Sequence, residues 1–364
     1  MSSILSAIGI ATPSYCFSQD QILRFMVDAH QLNNNDASRL EKLYHVSGIE
    51  QRHSVLPDFA EDSDNILFGN NSGTGPFPTT AQRGIVYERE AIGLCIKAVD
   101  ELKQKVPGLN LKDITHLITV SCTGMYAPGL DIDLIEKLEL NKSTERTCIN
   151  FMGCYAAFNA LKVADYICRA KKDAKVLIVA VELCTLHFQK ESTLENWVAN
   201  SLFADGATAT LVEPEENPST GKGFRLKSFY TELALEARDE MAWHIGDTGY
   251  EMRLSSRIAK NIKSRIKSVT EKLLKTADLR LHDISGMAIH PGGRRILEVC
   301  DEEFENSFCL KHSFEVLKMH GNMSSVTILF VLQRFLDEAK PGANLMSFAF
   351  GPGLTIESMI LQAI

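Results

Sequence analysis

Several features that would settle the class of this chain at once are missing. Its nine cysteines (16, 95, 122, 148, 154, 168, 184, 300 and 309) contain no CxxC pair, and their number is odd. That pattern speaks against a disulfide framework and against a zinc site, and no metal is expected. A reducing cytoplasm is the setting that fits. No run approaches the roughly 18 consecutive apolar residues of a membrane span, so no stable membrane insertion is expected. Residues 1–11 are apolar but lack a basic start and a small-residue cleavage site, so they read as a first core strand, not a signal peptide. Positive charge is in deficit: 38 Lys and Arg against 46 Asp and Glu leave −8, which argues against a nucleic-acid partner. Short tandem repeats and low-complexity tracts are absent.

What is present is the composition of a soluble globular protein, 45% hydrophobic and 23% charged over 364 residues. That length suits one large two-part domain or two ordinary domains. Short apolar runs at 116–122, 175–182, 208–212, 284–290 and 344–350 alternate with helical stretches. Such runs suit strands buried on both faces, as in α/β layers. Ile258, Ile262, Ile266, Val269 and Leu273 recur at helical spacing, with Lys260, Lys263, Arg265, Lys267 and Lys272 on the opposite, solvated face. Two glycine turns followed by strands, 203–212 and 350–361, suggest a duplicated unit. Residues 213–223 have linker composition, and 56–80 read as a long surface loop.

Cys154 has the most informative surroundings. Asn150-Phe151-Met152-Gly153 before it reads as extended, and Tyr155 to Leu161 after it as an apolar helix. A thiol at a helix start feels unpaired N–H groups and the positive dipole end, both of which favour thiolate. His290 ends an apolar run and precedes Pro291-Gly292-Gly293; Asn322 follows Gly321 and precedes a helical stretch. A strand-end His before a glycine-rich loop lies where α/β folds place ligands. Taken singly, a small buried Cys, a loop His and an N-capping Asn are ordinary. Together, a Cys, a His and an Asn supply a nucleophile, its ion-pair partner and a polariser of a carbonyl oxygen. They point to acyl transfer through a cysteine thioester.

Taken together, these motifs resemble those of thiolase-fold condensing enzymes, and most closely the type III polyketide synthases, the chalcone synthase-like family. Gly153-Cys154 is similar to the nucleophile motif, Ile289-His290-Pro291-Gly292-Gly293 to the histidine motif, Gly321-Asn322-Met323-Ser324-Ser325 to the asparagine motif, and Phe350-Gly351-Pro352-Gly353-Leu354-Thr355 to the terminal glycine-rich signature. The resemblance implies a five-layered α/β/α/β/α fold of two similar halves, 1–215 carrying the Cys and 216–364 carrying the His and Asn. It also implies a homodimer. In that reading Cys154 holds the growing acyl chain and His290 keeps it as thiolate. His290 and Asn322 then stabilise the enolate left when a malonyl thioester loses CO₂. Acyl-CoA and malonyl-CoA are the substrates, and no cofactor is implied. The product would be a short polyketide of pyrone, resorcinol or phloroglucinol type.

The same resemblance assigns a cavity. Phe203 is the aromatic gate, Met252 stands in the second gate segment, and Cys122, Thr123, Cys184, His187 and Ser324 line the pocket. Trp243 stands where chalcone synthases have a small residue, which would shrink the cavity, and His187 replaces a small residue and could act as a new donor or base. Ala127 replaces a bulkier side chain lent by a partner subunit. Arg39 and Lys42 fall on basic positions that hold CoA phosphates, Val46 falls where a third is usual, and Arg294 and Arg295 compensate beside Gly292 and Gly293. The thin basic set leaves an acyl carrier protein as an alternative donor. Two other readings stand beside this one. A ketoacyl synthase III-like enzyme would condense once, and Trp243 favours it. A non-catalytic acyl-CoA binder would not need Cys154, His290 and Asn322 intact. A non-decarboxylating thiolase would need a second cysteine near the C-terminus, and residues 350–364 have none.

Overall fold

The computed structural model describes residues 2–60, 66–68 and 77–364. Among them, nine strands form one mixed sheet in the order Ile284–Ile289, Asn344–Gly351, Thr355–Ala363, Phe224–Leu233, Ser3–Ala11, Asp205–Pro214, Val176–Leu183, His116–Ser121 and Glu145–Asn150. Its middle seam is narrow. Ser3–Ala11 pairs with Asp205–Pro214 from Ser3↔Pro214 to Ala11↔Ala207, but with Phe224–Leu233 only through Ile4↔Arg225 and Leu5↔Phe224. Five strands therefore lie on one side of a short ladder and four on the other. Both sides repeat one plan: parallel strands outermost, then two antiparallel steps inward.

Alternation along fully buried strands builds the layers. In Val176–Leu183, Leu177, Val179, Val181 and Leu183 join the cluster that includes the helix Thr80–Lys105, while Val176, Ile178 and Ala180 face the opposite way. In Asn344–Gly351, Leu345 and Ala349 face that same inner side, and Met346, Phe348 and Phe350 join the helices Ile258–Thr276 and Arg294–Glu303. The inner layer is made by the helices Ala156–Ala170 and Thr327–Glu338. The result is a helix, sheet, helix, sheet, helix stack, the thiolase-like α/β arrangement. Both inner helices begin at the same cavity, one just after Cys154 and the other just after Asn322.

Some expectations shift. Glu213 and Pro214 complete a strand instead of starting the connection; Glu213 is fully buried because its carboxylate accepts from Ser6 Oγ at 2.8 Å and Ser219 N at 3.0 Å. The loop expected at 56–80 lies partly outside the described residues. Within the described part, the carboxylate of Asp58 accepts from the N–H groups of Ile66, Leu67 and Phe68 at 3.0, 2.8 and 2.7 Å. The basic face of Ile258–Thr276 is held by carboxylates, Lys263 to Glu302 at 2.8 Å and Lys267 to Glu303 at 3.3 Å among them. No described helix is long and apolar enough to cross a membrane.

Candidate active site

The strand Glu145–Asn150 ends in a tight turn before the helix Ala156–Ala170, and Cys154 sits in that turn. Gly153 takes φ +87°, in the left-handed region that favours glycine. A Cβ there would also lie 2.4 Å from Pro352 Cδ. The terminal glycine-rich segment thus packs directly on the nucleophile turn. From the other side, the Gly153 N–H donates to Cys122 Sγ at 3.0 Å. Cys154 is buried and opens into a cavity of about 500 Å³.

His290 and Asn322 line the same cavity. The His290 N–H donates to Phe348 O at 2.8 Å, which fixes the strand end. Neither ring nitrogen has a hydrogen-bond partner among the described residues, although the residue is 1% exposed. Asn322 is locked through its backbone to the neighbours of Phe203: its N–H donates to Leu202 O at 2.8 Å and its carbonyl accepts from Ala204 N at 2.9 Å. Its side-chain Oδ1 accepts from Ser324 N at 2.9 Å, which leaves Nδ2 as the end facing the cavity. Nδ2 donates to Gly292 O at 3.2 Å, and the Asn322 side chain also hydrogen-bonds Cys154, as does that of Ser324. A Cβ on Gly292 would lie 3.5 Å from His290 Nε2. Nδ2 and Nε2 therefore flank one glycine beside the thiol.

Burial dominates the electrostatics here. It pushes the Cys154 thiol up to about 12, although the hydrogen bonds from Ser324 and Asn322 pull the other way. It pushes His290 down to about 3. Both shifts oppose the standing thiolate–imidazolium pair expected from the sequence. In the protein alone, burial favours the neutral form of each group.

Two buried ionisable residues behind the site were not anticipated as site residues. Glu182 accepts from Cys122 N and Thr123 Oγ1, both at 2.9 Å, and from Ser325 Oγ at 2.5 Å. Burial raises its pKa against those bonds. The available signal was one acid at the end of the apolar run at 175–182. Arg52, 3% exposed, donates to Asn200 O at 2.8 Å, Phe203 O at 2.7 Å and Gln19 Oε1 at 2.9 Å. The segment Ser47-Gly48-Ile49-Glu50-Gln51-Arg52-His53 thereby braces the backbone at Phe203.

Cys122, Thr123, Cys184, Phe203, Trp243, Met252 and Ser324 all line the cavity of Cys154, as do Gly292, Gly293 and Arg295. Trp243 Nε1 donates to Cys122 O at 3.0 Å, and Trp243 pairs across a hairpin with Met252. His187 is a correction. Its Nδ1 accepts from Tyr250 N at 3.0 Å, so Nε2 carries the proton and donates to Thr123 O at 2.7 Å. Its ring stacks on Tyr250 at 4.1 Å, and burial pushes its pKa down to about 3. With both nitrogens used, it is neither a free donor nor a base, and it does not line the main cavity. Arg39, Lys42 and Arg294 also lie outside that lining. Arg39 pairs with Asp36 at 3.3 Å and Arg294 with Glu298 at 2.8 Å, while Arg295 divides between Glu298 and Glu302. Much of the wall is apolar and was not expected at the site: Leu194, Val198, Leu202, Met241 and Leu254, with Ile258, which was read only as helix core. On sequence such residues are indistinguishable from core.

Comparison with known proteins now decides the family. The model for chalcone and stilbene synthases matches in two parts, its N-terminal domain over residues 2–216 and its C-terminal domain over 226–364. The chain belongs to the chalcone and stilbene synthase family. Similar proteins include the alpha-pyrone synthesis polyketide synthase-like Pks18 of Mycobacterium tuberculosis, 29% identical over all of this chain and 91% of that protein. Among solved structures, the C-terminal type III polyketide synthase domain of Steely1, a type I/III hybrid from Dictyostelium, is similar with a TM-score of 0.90 and 25% identity, covering 100% of this chain and 99% of that one. PKS-I from the brown alga Ectocarpus siliculosus gives 0.90 and 28%, covering 100% and 98%. The protein is thus a type III polyketide synthase by family, a condensing acyltransferase.

Proposed function

We propose that this type III polyketide synthase carries out decarboxylative Claisen condensation of malonyl-CoA onto an acyl starter held by Cys154. One observation carries the reading: a buried thiol shares an apolar cavity with an unpartnered imidazole and a side-chain amide turned donor-first toward it. His290 takes the Cys154 proton as the thiol attacks the starter thioester and keeps it, while CoA departs as a thiolate that solvent protonates. The carbonyl of a malonyl thioester then accepts from His290 N–H and Asn322 Nδ2–H. Loss of CO₂ leaves an enolate whose oxygen those fixed donors stabilise. Its carbon attacks the Cys154 thioester, and the thiolate leaves. Decarboxylation supplies the carbanion, so the chemistry asks for no metal or redox cofactor.

The product is a short polyketide of pyrone, resorcinol or phloroglucinol type; the printed name of the Mycobacterium relative is in keeping with a pyrone. Single condensation remains the second reading, favoured by the Trp243 indole in the cavity wall. A carrier-protein donor has support in the ion pairing of Arg39, Arg294 and Arg295, which leaves little free charge for CoA phosphates. Nine free cysteines suit a reducing cytoplasm. The homodimer is supported by the exposed edge strand Glu145–Asn150 and by exposed Met125, Ile132 and Met152 in adjoining segments. Light scattering should give twice the 40.4 kDa chain mass; a monomer at micromolar concentration removes that part of the proposal.

The deciding experiment is mass spectrometry after incubation with a panel of acyl-CoAs and malonyl-CoA. Acyl adducts on Cys154, with released products two or more extender units longer than the starter, are expected. Products one unit longer favour single condensation. Absence of any adduct from CoA donors, followed by loading from an acylated carrier protein, favours the carrier-fed reading.

A further inference from the structure

The proposed reaction uses one thiol, yet three free thiols face the same cavity: Cys122, Cys154 and Cys184, at 3, 8 and 5% exposure. Cys122 stands closest to the nucleophile turn by its contacts. Its Sγ accepts the Gly153 N–H at 3.0 Å and reaches the Gly153 carbonyl at 3.6 Å, so it lies against the peptide that leads into Cys154. Its own backbone is tied down, since the Cys122 N–H donates to Glu182 Oε2 at 2.9 Å. The Cys154 turn is held from the other face by Pro352. Among the described residues, Cys184 makes no hydrogen bond to that turn. The Cys122 sulfur thus lies against the residue that directly precedes Cys154, and both thiols line one cavity with a base, His290, able to take a proton.

We infer that Cys122 is a resolving thiol for Cys154, so that peroxide converts the pair into a reversible disulfide that shuts off acyl loading and spares the nucleophile. The oxidant is hydrogen peroxide. Cys154, giving its proton to His290, attacks one peroxide oxygen; the O–O bond breaks, hydroxide leaves and takes that proton as water, and the sulfur becomes a sulfenic acid. The Cys122 sulfur then attacks the Cys154 sulfur, the S–O bond breaks, and a second water departs with the Cys122 proton. Two electrons have left the two thiols and reduced the peroxide to two waters. A dithiol reverses the change by exchange. Without a neighbouring thiol, the sulfenic acid goes on to sulfinic acid, which a dithiol does not reduce.

The inference rests on Cys154 being the acylated thiol, which the starter-loading experiment tests separately and without peroxide. The full chain is treated with a few equivalents of hydrogen peroxide, alkylated, and digested with trypsin without reduction. The expected product joins the peptide 113–137, through Cys122, to the peptide 147–162, through Cys154, lighter by two hydrogens than the separate peptides; fragment ions distinguish Cys154 from Cys148. Starter loading should fall at least tenfold and return to most of its initial level with dithiothreitol. In Cys122→Ser, peroxide should leave less than a tenth of that variant's own starting loading recoverable, with sulfinic acid on Cys154. The inference is overturned if the peroxide-treated parent protein yields only sulfinic acid on Cys154, if Cys154 links to Cys184, or if Cys122→Ser recovers as fully as the parent.

Discussion

Asn322 has its carbonyl oxygen bonded to Ser324 N and one amide hydrogen bonded to Gly292 O, so its remaining N–H has a single useful direction, toward Cys154. A donor fixed this firmly costs nothing to reorganise when an enolate forms. Asn322→Ala should therefore lower the condensation rate by about 10²–10³, the usual loss for one oxyanion donor. Asn322→Asp should do no better, because a carboxylate repels the enolate. In Cys154→Ala, starter loading and elongation should vanish while slow malonyl-CoA decarboxylation persists on His290 and Asn322. Following released CO₂ and product in parallel checks both; elongation surviving in Cys154→Ala means another nucleophile. Gly153→Ala meets two obstacles, a left-handed φ and Pro352 Cδ at 2.4 Å. Loading should fall at least tenfold with the fold retained; near-normal loading would mean that the turn and the glycine-rich segment can move apart freely.

Among the elements, the hairpin Met241–Gly246 with Gly249–Leu254 sets the far wall of the cavity. Trp243 is directly opposite Met252, and its ring lies 6.4 Å from Phe203 and 5.9 Å from Tyr250. It fills space that a growing chain would otherwise occupy. Trp243→Gly should shift products toward at least one further extender unit, read by chromatography and mass spectrometry, at a stability cost of about 3 kcal/mol. Unchanged product length would place the limit elsewhere. This wall was also the least legible part of the sequence. Apolar runs became strands almost to the residue, 175–182 yielding Val176–Leu183, because a strand buried on both faces must be apolar nearly throughout. The helix Leu194–Leu202 and this hairpin place apolar side chains against a cavity instead of a core, and no periodicity separates the two. The edge strand Glu145–Asn150 reads ERTCIN and carries no apolar pattern, since most of it faces outward. His187 was misread as free because its partner is the backbone of Tyr250, 63 residues away. Cys154, His290 and Asn322, which the fold brings to one cavity, were legible because each carries its own local glycine signature.

At the scale of the whole molecule, stability should depend on acid in a direction set by buried groups. His187 and His290 are pushed down to about 3 by burial, and His320 to about 4 by burial with help from His53 and Arg334. In the unfolded chain such imidazoles titrate near 6.5. As the pH falls through that value, the unfolded chain binds protons that the folded chain refuses, and stability is lost. Two carboxyls act in the opposite sense. Burial raises Asp205 to about 6 and also raises Glu182, so the folded chain holds protons there that the unfolded chain releases above about 4. Burial also lowers His30, His53 and His116, so imidazoles outnumber the two carboxyls and unfolding takes up at least about one to two protons between pH 6.5 and 4.5. At about 1.4 kcal/mol per proton per pH unit, that costs about 3–5 kcal/mol across the window, a large share of the 5–15 kcal/mol typical of a folded domain. The guanidinium midpoint should therefore fall steeply from pH 7.5 to 4.5. His320→Phe, whose ring can keep the edge contact with Phe330 now made at 5.1 Å, should flatten that fall by about one proton. Equal midpoints at both pH values would mean that these imidazoles take up protons in the folded protein. Burial would then not be what holds His290 neutral beside Cys154, and the resting pair would have to be redrawn as ionic.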